Sequence, residues 1–152
     1  SVITCSKKHG SVEYCFQCSS YPCERYSRIG DLDSFISYRN VISDLAKATS
    51  GGIELYISEL NEKIEILELL LHTYHDGRRK AFYCNAVNLL PLSELREIIS
   101  EVQGTDAIKM REQLAGGDAG QITPLTEQIE KIVRLMEARA ASRNISLKLR
   151  KS

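Results

Sequence analysis

Four of the five cysteines stand in the first 23 residues: Cys5, Cys15, Cys18 and Cys23. Cys15-Phe16-Gln17-Cys18 is a CxxC, which presents two thiolates from one tight turn, so a tetrahedral metal needs its other ligands folded back from elsewhere. Cys23, which follows the rigid Tyr21-Pro22 step, and Cys5 are placed to supply them, with His9 as the alternative to Cys5. The chemistry this predicts is a structural zinc site, because clustered thiols in a reducing compartment are metal ligands before they are disulfides. Reduced cysteines that merely pack are the plainer reading, but four in so short a stretch is far above ordinary usage. An iron–sulfur cluster also takes four thiolates; the order here matches neither familiar ferredoxin spacing, which ranks it below zinc. A thioredoxin-like use of Cys15 and Cys18 requires a strand before them and a helix after them, and neither pattern is present.

Two weaker constellations lie in the middle of the chain. His72 and His75 are one helical turn apart and Cys84 follows, but that spacing lacks a carboxylate or a water-activating geometry. The plain alternative is a solvated helix end and a core cysteine. Arg78 and Arg79, followed by Lys80 at a helix start, suit a phosphate or carboxylate, since backbone N–H groups and cations converge there. Against this stands an ordinary solvated basic turn. No catalytic set is complete: the three histidines have no Ser or Cys partner, and Glu59, Glu62, Glu65 and Glu68 read as solvent-facing. Gly116 to Gly120 lacks the Lys-Ser/Thr ending of a phosphate loop.

The elements that must position these residues divide into two kinds. Residues 1–30 have few periodic apolar positions and cannot bury enough surface to fold by hydrophobicity alone; they need a staple. From Asp31 the pattern turns helical, with Leu32, Phe35, Ile36, Val41, Ile42 and Leu45 predicting a helix that stops near Gly51-Gly52. Ile53, Ile57, Leu60, Ile64, Leu67, Leu71 and Tyr74 alternate steps of four and three, which predicts a second helix with one continuous apolar stripe. A third helix is expected over residues 81–90. Pro91 then opens a fourth, residues 92–102, which Gly104 closes. A weaker helix covers 106–114, residues 116–120 form a linker, and Thr123-Pro124 caps a last helix reaching about Ala141. The one strand expected is 145–149.

The run from Cys5 to Arg25, with its cysteine, short basic stretch, CxxC and Tyr-Pro-Cys-Glu turn, resembles the cysteine-rich core of a bacterial and archaeal family, domain of unknown function 3795. The resemblance implies that Cys5, Cys15, Cys18 and Cys23 are zinc ligands, and it implies no activity. Residues 74–84 are loosely similar to a segment of longer members. Members of the family carry further cysteines upstream of this run, and the chain starts at Ser1 without a Met, so additional ligands before it are part of the expectation.

Lys+Arg and Asp+Glu both total 20 in 152 residues, so no global field points to nucleic acid or a membrane. The basic tail from Arg139 to Lys151 has no interleaved aromatic side chains for base stacking, and reads as a solvated end. No apolar run reaches the roughly 20 residues of a membrane helix. An odd cysteine count with four clustered fits reduced thiols, hence the cytoplasm. The sequence therefore predicts a mainly α protein: a zinc-knuckle-like segment (1–30) packed on a bundle of about five helices, divided into a helical core (31–115) and a C-terminal helix with a basic tail (121–152). Its expected role is a metal-stabilised interaction or ligand-binding module, with homodimerisation through helix 53–74 as one form. The alternative is a metal- or thiol-dependent enzyme whose site lies where the knuckle meets Tyr74 to Cys84.

Overall fold

The computed structural model describes residues 2–29, 31, 33–116 and 125–150, with residues 105–116 and 125 described by their backbone alone. The protein is mainly helical, and its helices pack as a bundle. They are α1 (Val2–Lys8), α2 (Val41–Gly51), α3 (Ile53–Thr73), α4 (Lys80–Leu89), α5 (Leu92–Gly116) and α6 (Leu125–Ser142), with short 3-10 turns at Cys15–Gln17 and Glu24–Tyr26.

The core belongs to the last four helices. Ile66, Leu70 and Tyr74 descend one side of α3 at steps of four and meet Tyr83, Ala86 and Val87 of α4. Leu92, Leu95, Ile98 and Val102 of α5 and Ile129, Ile132, Met136 and Ala140 of α6 close the cluster, again at steps of three and four. Pro91 separates α4 from α5, as its missing N–H requires. The buried Tyr83 hydroxyl donates to the Tyr74 carbonyl at 2.9 Å, placing a donor on a carbonyl at the end of α3. Charged groups tie the helices around this core. Arg96 of α5 grips Glu62 of α3 through two hydrogen bonds of 2.5 and 2.6 Å. Glu94 is buried and pairs with Arg139 at 3.2 Å and with the Arg143 Nε at 2.8 Å.

Four sequence expectations are corrected. The first long helix does not start at Asp31 but at Val41. Asp33 captures the chain before it can coil: its Oδ1 accepts from the Ser37 hydroxyl at 3.0 Å and from the Tyr38 N–H at 3.1 Å. Such short-range side-chain bonds offer the backbone an alternative to the helix ladder. Phe35, expected on an apolar face, is left 93% exposed. The stripe of α3 is likewise buried only over its second half, since Ile57, Leu60 and Ile64 lie open. Gly104 does not end a helix; α5 runs through it to Gly116, because one glycine costs a helix only about 1 kcal/mol. Residues 145–149 form no strand. Their alternating pattern finds no neighbouring strand, and Arg39 instead donates to the Ser146 carbonyl at 2.6 Å and the Lys148 carbonyl at 2.8 Å. The linker residues 117–120 and the Thr123-Pro124 cap lie outside the described residues.

Between α2 and α3 the chain turns on Gly52, whose φ of +89° is open to glycine and strained for other residues. That break folds α2 back on α3, and α2 in turn carries the turn holding Cys15.

Candidate functional site

The cysteine-rich segment is built from turns rather than from buried apolar surface. Cys5 sits in the middle of α1. Past the end of that helix the chain reverses at Gly10 and Ser11, both at positive φ, and Ser6 fastens the reversal: its hydroxyl donates to the Val12 carbonyl at 2.5 Å, and its carbonyl accepts from the Ser11 N–H at 2.8 Å. The Gln17 side-chain carbonyl then accepts from the N–H groups of Glu13 and Tyr14, each at 3.0 Å, which winds the 3-10 turn that begins with Cys15. Cys18 closes that turn through its N–H on the Cys15 carbonyl at 3.1 Å. A cis Tyr21-Pro22 peptide leads to Cys23, the N-cap of the second 3-10 turn, whose carbonyl accepts from the Tyr26 N–H at 2.9 Å.

These turns bring Cys5, Cys15, Cys18 and Cys23 to the wall of one cavity of about 430 Å³. His9 reaches the same wall. Val2, Val12, Ile29 and Val41 supply apolar surface, and Tyr21, Tyr26 and Tyr38 supply aromatic surface. Tyr21 and Tyr26 meet edge to face at 5.2 Å. All five cysteines are free and half-buried. The four cavity thiols do not meet at a point: among the described residues no three His, Cys, Asp or Glu side chains stand close enough together to hold a single metal ion. A zinc ion would need its sulfurs at about 2.3 Å, so this arrangement, as it stands, does not fit one zinc.

Tyr26 is the residue that sequence reasoning missed. Burial raises its phenol above the ordinary tyrosine range, and a side-chain hydrogen bond with Cys15 and the neighbouring Tyr21 and Cys23 groups add to the effect. Tyr26 and Cys15 share the wall of the cavity. Only its place three residues after Cys23 hinted at this, since a 3-10 turn there returns the side chain to the cysteine side.

The wall beyond Tyr38 is anchored from far along the chain. Asp33 Oδ2 accepts from the Arg150 N–H at 2.7 Å and pairs with Arg39 at 3.6 Å. Burial works to raise the Asp33 carboxyl, but bonds from Arg150, Ser37 and Tyr38 with the Arg39 charge outweigh it and hold the pKa below the usual value. Asn40 donates to the Asn88 and Leu89 carbonyls at 3.2 and 3.3 Å, and Asn88 returns a bond to the Ser37 carbonyl at 2.9 Å. The segment between knuckle and helices is thus tied to the end of α4 and to the C-terminal tail.

The middle constellations do not join this site. No residue of 74–84 lines the cavity, whose walls come from residues 2–41. His72 is exposed, while His75 accepts from the Gly77 N–H at 3.3 Å and leaves its Nε2 buried without a partner. His72, His75 and Cys84 are not gathered into a metal-binding group. At the start of α4 the Asp76 carboxylate already takes the position an external anion would take: it accepts from the Arg78 N–H at 3.0 Å and pairs with the Arg79 guanidinium. The Arg78 side chain remains exposed.

No helix among the described residues is long and apolar enough to cross a membrane. Comparison of the chain with protein-family models, curated proteins and solved structures found no match. The resemblance of Cys5 to Arg25 to domain of unknown function 3795 therefore rests on the motif alone.

Proposed function

We propose that Cys5, Cys15, Cys18 and Cys23 hold a thiolate-bound metal centre that orders the N-terminal segment of a helical interaction module. The observation that carries this reading is the convergence of all four cysteines, from one helix and two 3-10 turns, on the wall of one cavity. Four soft ligands select zinc or iron–sulfur chemistry over hard cations. Free thiols in all five positions support a reducing compartment, the cytoplasm. His9, on the same wall, is the reserve ligand.

The interaction surface is the apolar side of α3 that the core leaves uncovered, where Ile57, Leu60 and Ile64 stand exposed. Scattered apolar residues need no explanation, but a run of them along one helix does. A second copy of this chain, pairing through residues 53–74, is the partner this surface suits.

The test is metal content by elemental analysis of the full chain and of Cys15→Ser and Cys18→Ser. Each substitution releases the metal and increases amide exchange over residues 2–29, while far-UV circular dichroism keeps most of its helical signal. Unchanged metal content in both variants overturns the ligand assignment.

A further inference from the structure

We infer that Cys15 and Cys18 close a reversible disulfide with each other, formed by exchange with a low-molecular-weight disulfide of the glutathione type. The inference stands on the backbone of one turn and does not need the metal centre. The Cys18 N–H donates to the Cys15 carbonyl at 3.1 Å, closing the 3-10 turn that begins at Cys15. A 3-10 helix has about three residues per turn and rises about 2 Å for each, so residues three apart lie about 6 Å apart, one above the other. A disulfide spans Cα atoms about 4.4–6.8 Å apart. The Cys18 φ of −78° stays near the helical range, which sets its Cβ on the same side of the turn as that of Cys15. Both side chains accordingly reach the wall of one groove.

Only this pair is set by a single turn. Cys5 belongs to α1, Cys23 caps the next 3-10 turn, and Cys84 lies on α4, away from the groove. The surroundings give the two sulfurs different roles. Cys15 is flanked by half-buried Tyr14 and Phe16, whereas Cys18 is flanked by exposed Gln17 and Ser19. Cys18 is therefore the sulfur that an incoming disulfide reaches first.

The Cys18 thiolate attacks one sulfur of the small disulfide, whose S–S bond breaks, and the departing thiolate takes up the proton that Cys18 gave up. The Cys15 thiolate then attacks the Cys18 sulfur of the mixed disulfide and releases the second small thiol, which receives the Cys15 proton. Two protein thiols are oxidised, one small disulfide is reduced to two thiols, and no other oxidant enters. The free thiols at both positions are the reduced form of this couple. Where glutathione keeps thiols reduced, a disulfide is transient and redox-sensing rather than structural. The ring closes over a short stretch, so it restrains the unfolded chain less than a long loop would. While it is closed, neither sulfur is available to a metal, and the disulfide and the proposed metal centre exclude each other.

The experiment treats the full chain with oxidised glutathione, as purified and after chelation, alkylates the remaining thiols and maps them by peptide mass spectrometry. The expected result in the chelated chain is loss of two of the five free thiols, those of Cys15 and Cys18, and their return with dithiothreitol. Cys15→Ser stops at one glutathione adduct on Cys18. Cys5→Ser and Cys23→Ser still form the bond. Cys15 or Cys18 bonded to Cys5 or Cys23 instead, or five thiols still free in the chelated chain, overturns the disulfide. Metal content of the same samples reads the earlier proposal separately. A chain that carries metal as purified, and whose thiols stay free even after chelation, sinks the disulfide and keeps the metal centre. A chain that is metal-free as purified and joins Cys15 to Cys18 does the reverse.

Discussion

The two halves of this molecule are held by different physics. From Val2 to Ile29 there is no buried residue among those described, whereas Ile66 to Ala140 contribute a continuous apolar cluster drawn from α3 to α6. The second region folds by removing surface from water. The first has turns, local hydrogen bonds and four thiols around a hollow, and so has little to offset its conformational entropy of about 1–2 kcal/mol per residue. The proposed metal centre would supply what burial does not, because binding free energy that exists only in the folded state is folding free energy. The difference teaches that the apolar core supports only one of the two regions, so that the proposed metal centre and the core would be separable supports within one chain.

That comparison can be broken most forcefully from the core side. Leu95→Ala removes a fully buried side chain and is expected to cost about 2–5 kcal/mol in urea unfolding followed by circular dichroism. If the supports are separate, metal content at low denaturant stays unchanged; loss of metal together with helicity would show that they are one unit.

A smaller effect sharpens the boundary between the regions. Asp33→Asn weakens the bonds to Arg150, Ser37 and Arg39 that anchor the segment leading into Tyr38. The native carboxylate's pKa is depressed, so its contribution is complete above the unfolded value of about 3.9 and is lost as pH falls through the folded value. Amide exchange at Arg150 is therefore expected to rise below about pH 4 in the native protein. In Asp33→Asn it is raised already at neutral pH. Equal exchange in the two proteins at pH 7 would remove Asp33 as the latch.

The smallest effect on stability belongs to Ile64→Lys on the open side of α3. It changes unfolding free energy by no more than about 0.5 kcal/mol, yet it converts a dimer to a monomer in sedimentation if α3 pairs with its copy. A monomeric native protein would leave the interaction surface to a different partner.

Much of the bundle was legible because its residues answer to local rules: α4 and α5 follow from Pro91 and from apolar steps of three and four, and the second half of α3 from the same periodicity. The failures share a cause. Residues 33–40 and 145–149 carry patterns that local rules read as helix and strand, but each is captured by the other, Asp33 by Arg150 and Arg39 by Ser146 and Lys148. A contact across more than a hundred residues leaves no mark on either segment's periodicity. At the site, the four cysteines were legible as a group. The hollow between them was not, since the spacing of Cys15 and Cys18 fixes a turn and not the distance from that turn to Cys5. Tyr26 carried no signal beyond its place in the turn after Cys23.

The tie between Asp33 and Arg150 also sets an order of events during synthesis. The cysteines leave the ribosome before the helices, and the short-range bonds around Ser6 and Gln17 need nothing downstream. The anchorage beyond Tyr38 waits for residues 146 to 150, made more than a hundred residues later. Closing so long a loop is rewarded only after the helices between have packed. A nascent chain thus presents its thiols before residues 146 to 150 exist to hold the segment behind Tyr38.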